Sequence, residues 1–219
     1  KIEKALKNNK SKKYFFGKDF NISRASNSFI QYEDSEGLIV LPEPNILGDH
    51  QLSNISTSIA VAKKLLNVKD KDIKIGITNI NLKGRLQEIK SGKLKKLVGS
   101  NRLICDGGHN TNSAKAITQW IKQQHEDVHI ILGMMKDKDH NGFIDCFKDY
   151  VKSITIIDIP NQQSSISKEN LKNKINDFKK KISLSSSIEE SIKSMNKHQN
   201  NICLVTGSLY LVGEVLNLN

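Results

Sequence analysis

The sequence predicts an α/β fold for residues 83–219, with a doubly wound, mostly parallel sheet and helices on both faces. Two observations support this prediction. Short uninterrupted apolar runs, such as Val128–Met134, alternate with stretches of helical periodicity, which is typical of a parallel sheet covered on both faces. Polar clusters follow three of these runs, at the strand ends where ligands bind in such sheets. Residues 1–82 lack this alternation, and we expect them to be the end of another domain.

The first part of the chain favours a small β-structure. Residues 1–24 are rich in lysine and asparagine, with some helical character expected at the start. Two strand-like runs follow, Ser28–Tyr32 and Gly37–Leu41, around an acidic turn. Pro42 and Pro44, which follow the second run, are expected to end the sheet pairing, since proline has no N–H to donate.

Two helices are predicted next. The stronger one spans His50–Leu66, where apolar residues recur at steps of three and four and form one buried face. The residues of this face are Leu52, Ile55, Ile59, Ala62 and Leu66. Asp70 is a candidate N-cap for a second, shorter helix that reaches about Ile77.

From residue 83 onward, strands and helices are predicted in alternation. In order they are strand Arg102–Cys105, helix Ser113–Gln123, strand Val128–Met134, helix Gly142–Tyr150, strand Ile154–Ile159, helices Lys168–Lys181 and Ile188–Lys197, strand Ile202–Val205 and helix Leu209–Leu216. No internal repeat is visible.

Three polar clusters lie at the predicted strand ends: Asp106–Asn110, Asp137–Asp139 and Thr206–Ser208. Helix N-termini offer unpaired amides and the positive end of a dipole, so carboxylates and phosphates bind there. Taken singly, each cluster is better explained by side chains such as Asn110 and Ser208 that merely cap helices. Because all three are expected at one edge of the sheet, we favour a binding site.

Composition narrows the class of protein. The net charge is +11, yet lysine outnumbers arginine 31 to 3 and aromatic residues make up only 5% of the chain. Proteins that bind nucleic acids favour arginine guanidinium groups and aromatic side chains that stack on bases, so a nucleic-acid partner is not expected.

The sequence has no run of 18 apolar residues, which excludes a membrane-spanning helix. Three cysteines cannot all pair, and we expect a reducing, cytoplasmic setting.

Familiar catalytic motifs are absent or misplaced. His125–His129 matches the H-E-x-x-H pattern of zinc proteases, but its second histidine enters a predicted strand. The helical geometry that brings both histidines to one metal is therefore lost, and no metal site is expected. The sequence contains neither a G-x-x-x-x-G-K-[ST] phosphate loop nor a G-x-G-x-x-G dinucleotide loop, so it has no phosphate cradle of its own.

Five stretches, taken together in order and spacing, are more specific than any single motif. They are Leu47–Asn54, Gly84–Gln87, Leu103–Asn110, Leu132–Asp139 and Val205–Glu214. The chain from about residue 45 to its end resembles the bacterial folylpolyglutamate synthase / dihydrofolate synthase family, a branch of the Mur ligase superfamily. The resemblance covers only the C-terminal half of such an enzyme.

The resemblance implies an ATP-dependent ligase that joins L-glutamate to folate or dihydropteroate through an acyl phosphate. It also implies that residues 1–82 are the C-terminal remnant of the central, P-loop-type ATP-binding domain, and that residues 83–219 are the Mur ligase C-terminal domain. The phosphate loop, the magnesium ligands and most of the folate pocket would belong to the half that this sequence lacks. We therefore expect the 219-residue chain to be inactive alone, and expect a monomer that uses ATP and magnesium only in the complete enzyme.

Roles for five residues follow from the resemblance. Asn54 would contact the adenine of ATP, Arg85 its phosphates, and Asp106 would lie near the ribose. His109 and Ser208 would hold the incoming glutamate. Each residue also has an explanation that needs no ligand. Asn54 could be an exposed helix residue, Arg85 a surface charge and His109 a loop histidine. Asp106 and Ser208 could each be a helix cap. The alternative function is a non-catalytic truncated remnant that keeps the fold and binds ligands weakly.

Overall fold

The computed structural model describes residues 10–26, 28–175, 178, 181–195 and 200–219. These residues form two compact units. The first contains the described residues up to Asn45 together with His50–Ile80, and the second contains Ile46–Asp49 and Asn81–Asn219. The helical character expected at the start of the chain lies largely outside the described residues.

The first unit contains a three-stranded antiparallel sheet in the order β1-β2-β3. Its strands are β1 (Phe20–Ser26), β2 (Phe29–Asp34) and β3 (Gly37–Pro42). The two predicted strand-like runs are confirmed as β2 and β3. β1 was not predicted, because only Phe20 of its seven residues is buried and the strand therefore carries almost no apolar alternation.

Within the described residues, the first unit also contains two helices, α1 (His50–Leu66) and α2 (Asp70–Thr78). The bounds predicted for α1 are confirmed, and so are Ile55 and Ile59 as its buried face. Leu66 was assigned wrongly to that face, because it lies in the last turn and is 69% exposed. The cap was also wrong by one residue: α2 begins at Asp70, and its N-cap is Lys69 without a side-chain hydrogen bond.

A buried polar cluster joins α1 to the β2–β3 turn. The Asp34 side chain is only 1% exposed, and the Lys63 ammonium lies 3.5 Å from its Oδ1. The Tyr32 hydroxyl donates to Asp34 Oδ2 at 3.2 Å. Burial, followed by the nearby Asp34 charge, raises the pKa of Tyr32 well above its usual range. These contacts fix the position of α1 against the β2–β3 hairpin.

The second unit is built on a six-stranded sheet in the order β4-β5-β9-β6-β7-β8. Its strands are β4 (Gln87–Ile89), β5 (Arg102–Asp106), β6 (Val128–Leu132), β7 (Ser153–Ile156), β8 (Lys181–Leu184) and β9 (Ile202–Thr206). Neighbouring strands are parallel except for β4, which runs antiparallel to β5. The predicted mostly parallel α/β sheet is confirmed.

Helices cover both faces of this sheet. They are α3 (Lys93–Val98), α4 (Thr111–Ile121), α5 (His140–Asp145), α6 (Lys168–Lys174), α7 (Ile188–Lys193) and α8 (Leu209–Leu218). One hydrophobic core packs α4, α5 and α6 on one face, and a second packs α3, α7 and α8 on the other. Alternate residues of β5 show the division, since Ile104 enters the first core whereas Leu103 and Cys105 enter the second.

The predicted helix Lys168–Lys181 was wrong in its second half. α6 ends at Lys174, and Lys181 begins β8, while residues 176, 177, 179 and 180 lie outside the described part of the chain. Leu171, Ile175 and Phe178 are all buried at steps of four and three, so the apolar spacing imitates a longer helix. β8 is a short edge strand without a strong apolar pattern, and the three-residue β4 escaped prediction for the same reason.

Candidate functional site

The three predicted polar clusters meet where the central strands of the second unit's sheet end, at the edge formed by their carboxyl ends. Asp106, at the end of β5, pairs in register with Thr206 of β9, and Thr206 also pairs with Leu132 of β6. The loops beyond these ends are bonded to each other, because the N–H of Gly207 donates to the carbonyl of Gly108 at 3.0 Å. We call this edge the β5-β9-β6 rim. The prediction that the clusters share one rim is confirmed.

Asp106 is the buried centre of the β5 loop. It is 3% exposed, and its two carboxylate oxygens each accept a backbone amide, Oδ2 from Leu86 at 2.8 Å and Oδ1 from Gly108 at 2.7 Å. Hydrogen bonds to a carboxylate are about twice as strong as neutral ones. Asp106 therefore fixes the segment before β4 and the loop after β5 against each other.

Arg85 lies in the segment that Asp106 holds. The N–H of Gly107 donates to the carbonyl of Gly84 at 2.9 Å, so the two loops are bonded on both sides of Arg85. A Cβ on Gly107 would lie 3.2 Å from Arg85 Nη1 and 2.2 Å from Leu209 Cδ2, which leaves no room for a side chain there. The half-buried guanidinium of Arg85 thus lies against the backbone of the β5 loop.

Leu86 has a backbone conformation that leucine rarely adopts. Its φ is +44°, and its side chain is 1% exposed within the first core. Such left-handed conformations cost about 1–2 kcal/mol in non-glycine residues and concentrate at functional sites. Burial of the side chain and the hydrogen bond to Asp106 offset this cost. Sequence reasoning missed this residue, because leucine is not a usual marker of a positive φ.

One ring nitrogen of His109 is already hydrogen-bonded within the β5 loop. Its Nδ1 lies 2.9 Å from the carbonyl oxygen of Gly107, which can only accept a hydrogen bond. Nδ1 therefore carries the proton, and in the neutral imidazole Nε2 is an acceptor. The backbone N–H of His109 also donates to Ser113 Oγ at 3.1 Å, which ties the backbone that carries the ring to the start of α4. An acceptor at Nε2 suits a ligand's ammonium group or a proton leaving it.

Ser208 closes the rim at the start of α8. It is the N-cap of that helix, its Oγ accepts the N–H of Tyr210 at 3.1 Å, and it is 2% exposed. A hydroxyl that accepts one bond still has a proton to donate. Gly207 has φ +105°, and a Cβ there would lie 2.6 Å from the carbonyl oxygen of Gly133. Only glycine allows the β9 and β6 loops to approach this closely.

The β6 loop adds two carboxylates with different environments. Asp139 caps α5 by accepting the N–H of Gly142 at 3.0 Å, and it also accepts the Thr111 hydroxyl at 3.3 Å. Asp137 is exposed. The Lys138 ammonium, 2.9 Å from Asp137 Oδ2, lowers the pKa of that carboxyl, and His109 contributes a smaller effect of the same sign. His109 and Asp137 are thus electrostatic neighbours across the rim.

Four of the five residues assigned by resemblance come together in the second unit: Arg85, Asp106, His109 and Ser208. Asn54 belongs to the first unit. It is exposed on α1, and its Nδ2 donates to Gln51 Oε1 at 3.0 Å. Ser113 was missed by sequence reasoning, although its spacing of three from the N-cap Asn110 is that of a capping box.

The H-E-x-x-H match does not form a helix, as expected. α4 ends at Ile121, whereas His129 lies in β6 with its Nδ1 2.8 Å from Ser153 Oγ. Within the described part of the chain, no three His, Cys, Asp or Glu side chains converge on a possible metal position. All three cysteines are free, and burial raises the pKa of Cys105 and Cys203 to about 12.

The described residues contain no helix that is both long enough and apolar enough to cross a membrane. A family model described as "Dihydrofolate synthetase, C-terminal domain" matches residues 91–218, which is more than half of the chain.

Curated relatives carry related names. The folylpolyglutamate synthase of Lacticaseibacillus casei is 24% identical over 207 residues, which is 91% of this chain and 46% of that protein. The dihydrofolate synthase/folylpolyglutamate synthase of Buchnera aphidicola subsp. Schizaphis graminum is 28% identical over 179 residues, or 76% of this chain and 38% of that protein. The chain thus spans less than half the length of these relatives.

Solved structures show the same fold. Escherichia coli FolC in complex with ADP, without folate substrate, has a TM-score of 0.82 at 21% identity, covering 99% of this chain and 50% of that one. The bifunctional folylpolyglutamate synthase/dihydrofolate synthase of Yersinia pestis, complexed with AMPPNP and a manganese ion, has a TM-score of 0.81 at 21% identity, with 99% of this chain and 49% of that one covered.

Proposed function

Because this chain belongs to the folylpolyglutamate synthase / dihydrofolate synthase family, we propose that it is the C-terminal part of an ATP-dependent ligase. The ligase would join L-glutamate to folate or dihydropteroate. The observation that carries the proposal is the β5-β9-β6 rim, where His109 and Ser208 present one acceptor and one donor beside the charged Arg85. This is the set of groups that an amino acid, with an ammonium and a carboxylate, requires.

The chemistry that we propose has two steps. The acceptor carboxylate attacks the γ-phosphorus of ATP, which releases ADP and leaves an acyl phosphate. The glutamate nitrogen then attacks the acyl carbon, an amide bond forms, and phosphate departs with the former carboxylate oxygen. The glutamate ammonium must lose one proton before it attacks, and Nε2 of His109 would accept it, since Nδ1 is bonded to the Gly107 carbonyl. The second proton, lost as the amide forms, would leave with the phosphate. The hydroxyl of Ser208 would donate to a glutamate carboxylate.

Nucleotide contacts are assigned to two residues in this proposal. The Arg85 guanidinium would meet the ATP phosphates with a bidentate fork, and the exposed carboxamide of Asn54 would contact the adenine. A place near the ribose for Asp106 stays a prediction. What its geometry supports is a positioning role, because both of its oxygens are used by the amides of Leu86 and Gly108. Magnesium ligands are expected in the half of the enzyme that this sequence lacks.

We also propose that residues 1–82 are the remnant of a central ATP-binding domain and residues 83–219 the glutamate ligase domain. The surface of the first unit supports this division. Nine of the fifteen large hydrophobic side chains that are exposed in the described part of the chain belong to it, among them Leu65, Leu66 and Ile75. Three of the nine, Tyr14, Val61 and Leu65, line one groove, and contiguous apolar exposure marks surfaces that other protein normally covers.

The test uses a fusion of the N-terminal half of the L. casei relative to this chain, ahead of Lys1. In that fusion, His109→Ala should raise the KM for glutamate about tenfold, the equivalent of about 1.4 kcal/mol, and lower kcat because the proton acceptor is lost, while the KM for ATP changes little. Ser208→Ala should act in the same direction more weakly, since a neutral hydrogen bond contributes about 1 kcal/mol.

The matched control is His125→Ala, an exposed histidine in the loop before β6, at the opposite edge of the sheet. It should leave both KM values unchanged. A rise in the KM for ATP with an unchanged KM for glutamate would assign the rim to the nucleotide instead. A folded fusion without any ligation would favour the alternative of a non-catalytic remnant.

A further inference from the structure

Ser113 lies in the first turn of α4, against the loop that carries His109. It is half-buried, and a Cβ on Gly108 would lie 3.0 Å from the Cβ of Ser113, so the serine packs closely against the loop backbone. Its place in the capping box with Asn110 gives it an ordinary role at the start of the helix. The contacts of its hydroxyl extend beyond that role.

The Ser113 hydroxyl is fully used by His109 and Asn110. Its oxygen accepts the backbone N–H of His109 and that of Asn110, each at 3.1 Å. Its proton is donated to the Asn110 carbonyl at 2.8 Å. A serine hydroxyl has one proton to donate and two lone pairs that accept, so it has no hydrogen-bonding capacity left for a ligand. Ser113 therefore acts on the site through the loop and not by contact with a substrate.

These bonds complete the backbone hydrogen bonding of the β5 loop. The N–H of Gly107 donates to the Gly84 carbonyl, and the N–H of Gly108 donates to Asp106 Oδ1. The amides of residues 109 and 110 both donate to Ser113 Oγ. Four consecutive N–H groups thus have protein partners. Because unpaired backbone donors are costly away from water, a loop with all of these donors paired has few competing conformations.

The conformation of this loop decides which nitrogen of His109 faces a ligand. The ring folds back on its own loop, with Nδ1 2.9 Å from the Gly107 carbonyl two residues earlier. That contact requires the backbone from 107 to 109 to keep its shape, and the bond from the His109 N–H to Ser113 holds its far end. The hydrogen bond at one ring nitrogen sets the protonation of the other. If the loop moved, Nδ1 would lose its acceptor and Nε2 would carry the proton in part of the molecules.

We propose that Ser113 is a positioning residue for His109. Its hydroxyl holds the β5 loop in the conformation that keeps the ring proton on Nδ1 and leaves Nε2 free to accept. This inference rests on the proposed function, in which Nε2 accepts a proton from the glutamate ammonium. It adds to that function a residue that contacts no substrate itself.

The first test is a spectroscopic measurement on the 219-residue chain, which requires no ligation. Long-range ¹H–¹⁵N correlation spectra of protein labelled at histidine distinguish the two neutral tautomers, and His109→Gln identifies the His109 signals among those of the six histidines. At about pH 8.5 an ordinary histidine is neutral. We expect the proton of His109 on Nδ1 in the wild-type chain. Ser113→Ala should lower the ratio of this tautomer to the other about fivefold, the effect of losing a restraint worth one hydrogen bond.

The matched control is Ser167→Ala. Ser167 is also half-buried, and its hydroxyl caps the start of α6 by accepting the N–H of Asn170 at 3.3 Å. The control therefore removes a hydroxyl of the same kind from a helix that does not follow the β5 loop. Only Ser113→Ala should change the tautomer ratio of His109. An unchanged ratio in Ser113→Ala, or an equal change in both variants, would overturn the inference.

The second test uses the fusion and separates positioning from a general loss of stability. Ser113→Ala should lower kcat/KM for glutamate about fivefold when His109 is present. Added to His109→Ala, it should cause no further loss, because a positioning residue has no effect once the group that it positions is gone. Equal losses in both backgrounds would show that Ser113 acts independently of His109 and would overturn the inference.

The two tests distinguish a failure of this inference from a failure of the proposed function. A fusion that ligates glutamate, together with a tautomer ratio that does not respond to Ser113→Ala, would refute the positioning role alone. A ratio that shifts as expected, in a chain whose folded fusion never ligates, would refute the ligase proposal and keep the link between Ser113 and the ring.

Discussion

The two units of this chain differ in how completely they bury their apolar side chains. The second unit encloses two hydrophobic cores, one on each face of its sheet, entirely with its own residues. In its described part, the first unit has a three-stranded sheet and two helices, and it leaves more large apolar side chains exposed although it is the smaller unit. The difference is what we expect if, as we propose, the second unit is the ligase C-terminal domain and the first is the remnant of an ATP-binding domain.

Buried carboxylates show the same contrast. In the second unit, Asp106 is satisfied by two backbone amides that belong to the site's own loops. In the first unit, Asp34 relies on the side chains of Lys63 and Tyr32. Ion pairs of this kind return little net stability once the cost of dehydrating both charges is included. The first unit thus has both a smaller core and a less favourable way of burying charge.

The largest expected effect is on separate folding of the two parts. We expect a fragment of residues 81–219 to unfold cooperatively, because its two cores need no outside residue, and the exposed Asp49–Gln123 hydrogen bond that it loses contributes little. A fragment of residues 1–80 should show no cooperative transition. Thermal unfolding followed by circular dichroism, together with amide chemical-shift dispersion, measures both. Cooperative unfolding of the shorter fragment would remove the contrast between the units.

A smaller effect is expected at the centre of the rim. Asp106→Asn replaces one accepting oxygen by an amide that faces the N–H of Leu86 or Gly108, so one buried hydrogen bond is lost and two donors oppose each other. The free energy of unfolding should fall by about 3 kcal/mol, measured by urea denaturation.

Asp149→Asn is the matched control for that substitution. Asp149 is exposed, so the same chemical change should alter stability by at most about 0.5 kcal/mol. If Asp106→Asn were equally harmless, the two amides would not depend on the carboxylate, and the positioning role of Asp106 would have to be abandoned.

Sequence patterns predicted the fold of the second unit well, because its central strands are uninterrupted apolar runs. β5, β6 and β9 were all located, and their adjacency at the rim followed from the rules of parallel sheets. The edge strands β4 and β8 were missed, because a strand with few buried residues has no apolar pattern to recognise.

The site was predicted less completely. Its residue types were visible from polar clusters and from family resemblance, but their relations were not. Residue spacing does not predict the hydrogen bond from the Leu86 amide to Asp106, or the one between His109 Nδ1 and the Gly107 carbonyl. Both depend on loops that meet only after the sheet has formed, and one of them requires leucine at a positive φ.

The most direct test of the central claim is ATP-dependent incorporation of radiolabelled L-glutamate into folate or dihydropteroate. The claim is that this chain supplies the glutamate-binding half of a ligase and needs an ATP-binding half to act. We predict no incorporation by the 219-residue chain alone, and incorporation that requires both ATP and the pteridine substrate when the N-terminal half of the L. casei relative is fused ahead of Lys1. Incorporation by the chain alone, or its absence in a fusion that binds ATP, would contradict the account.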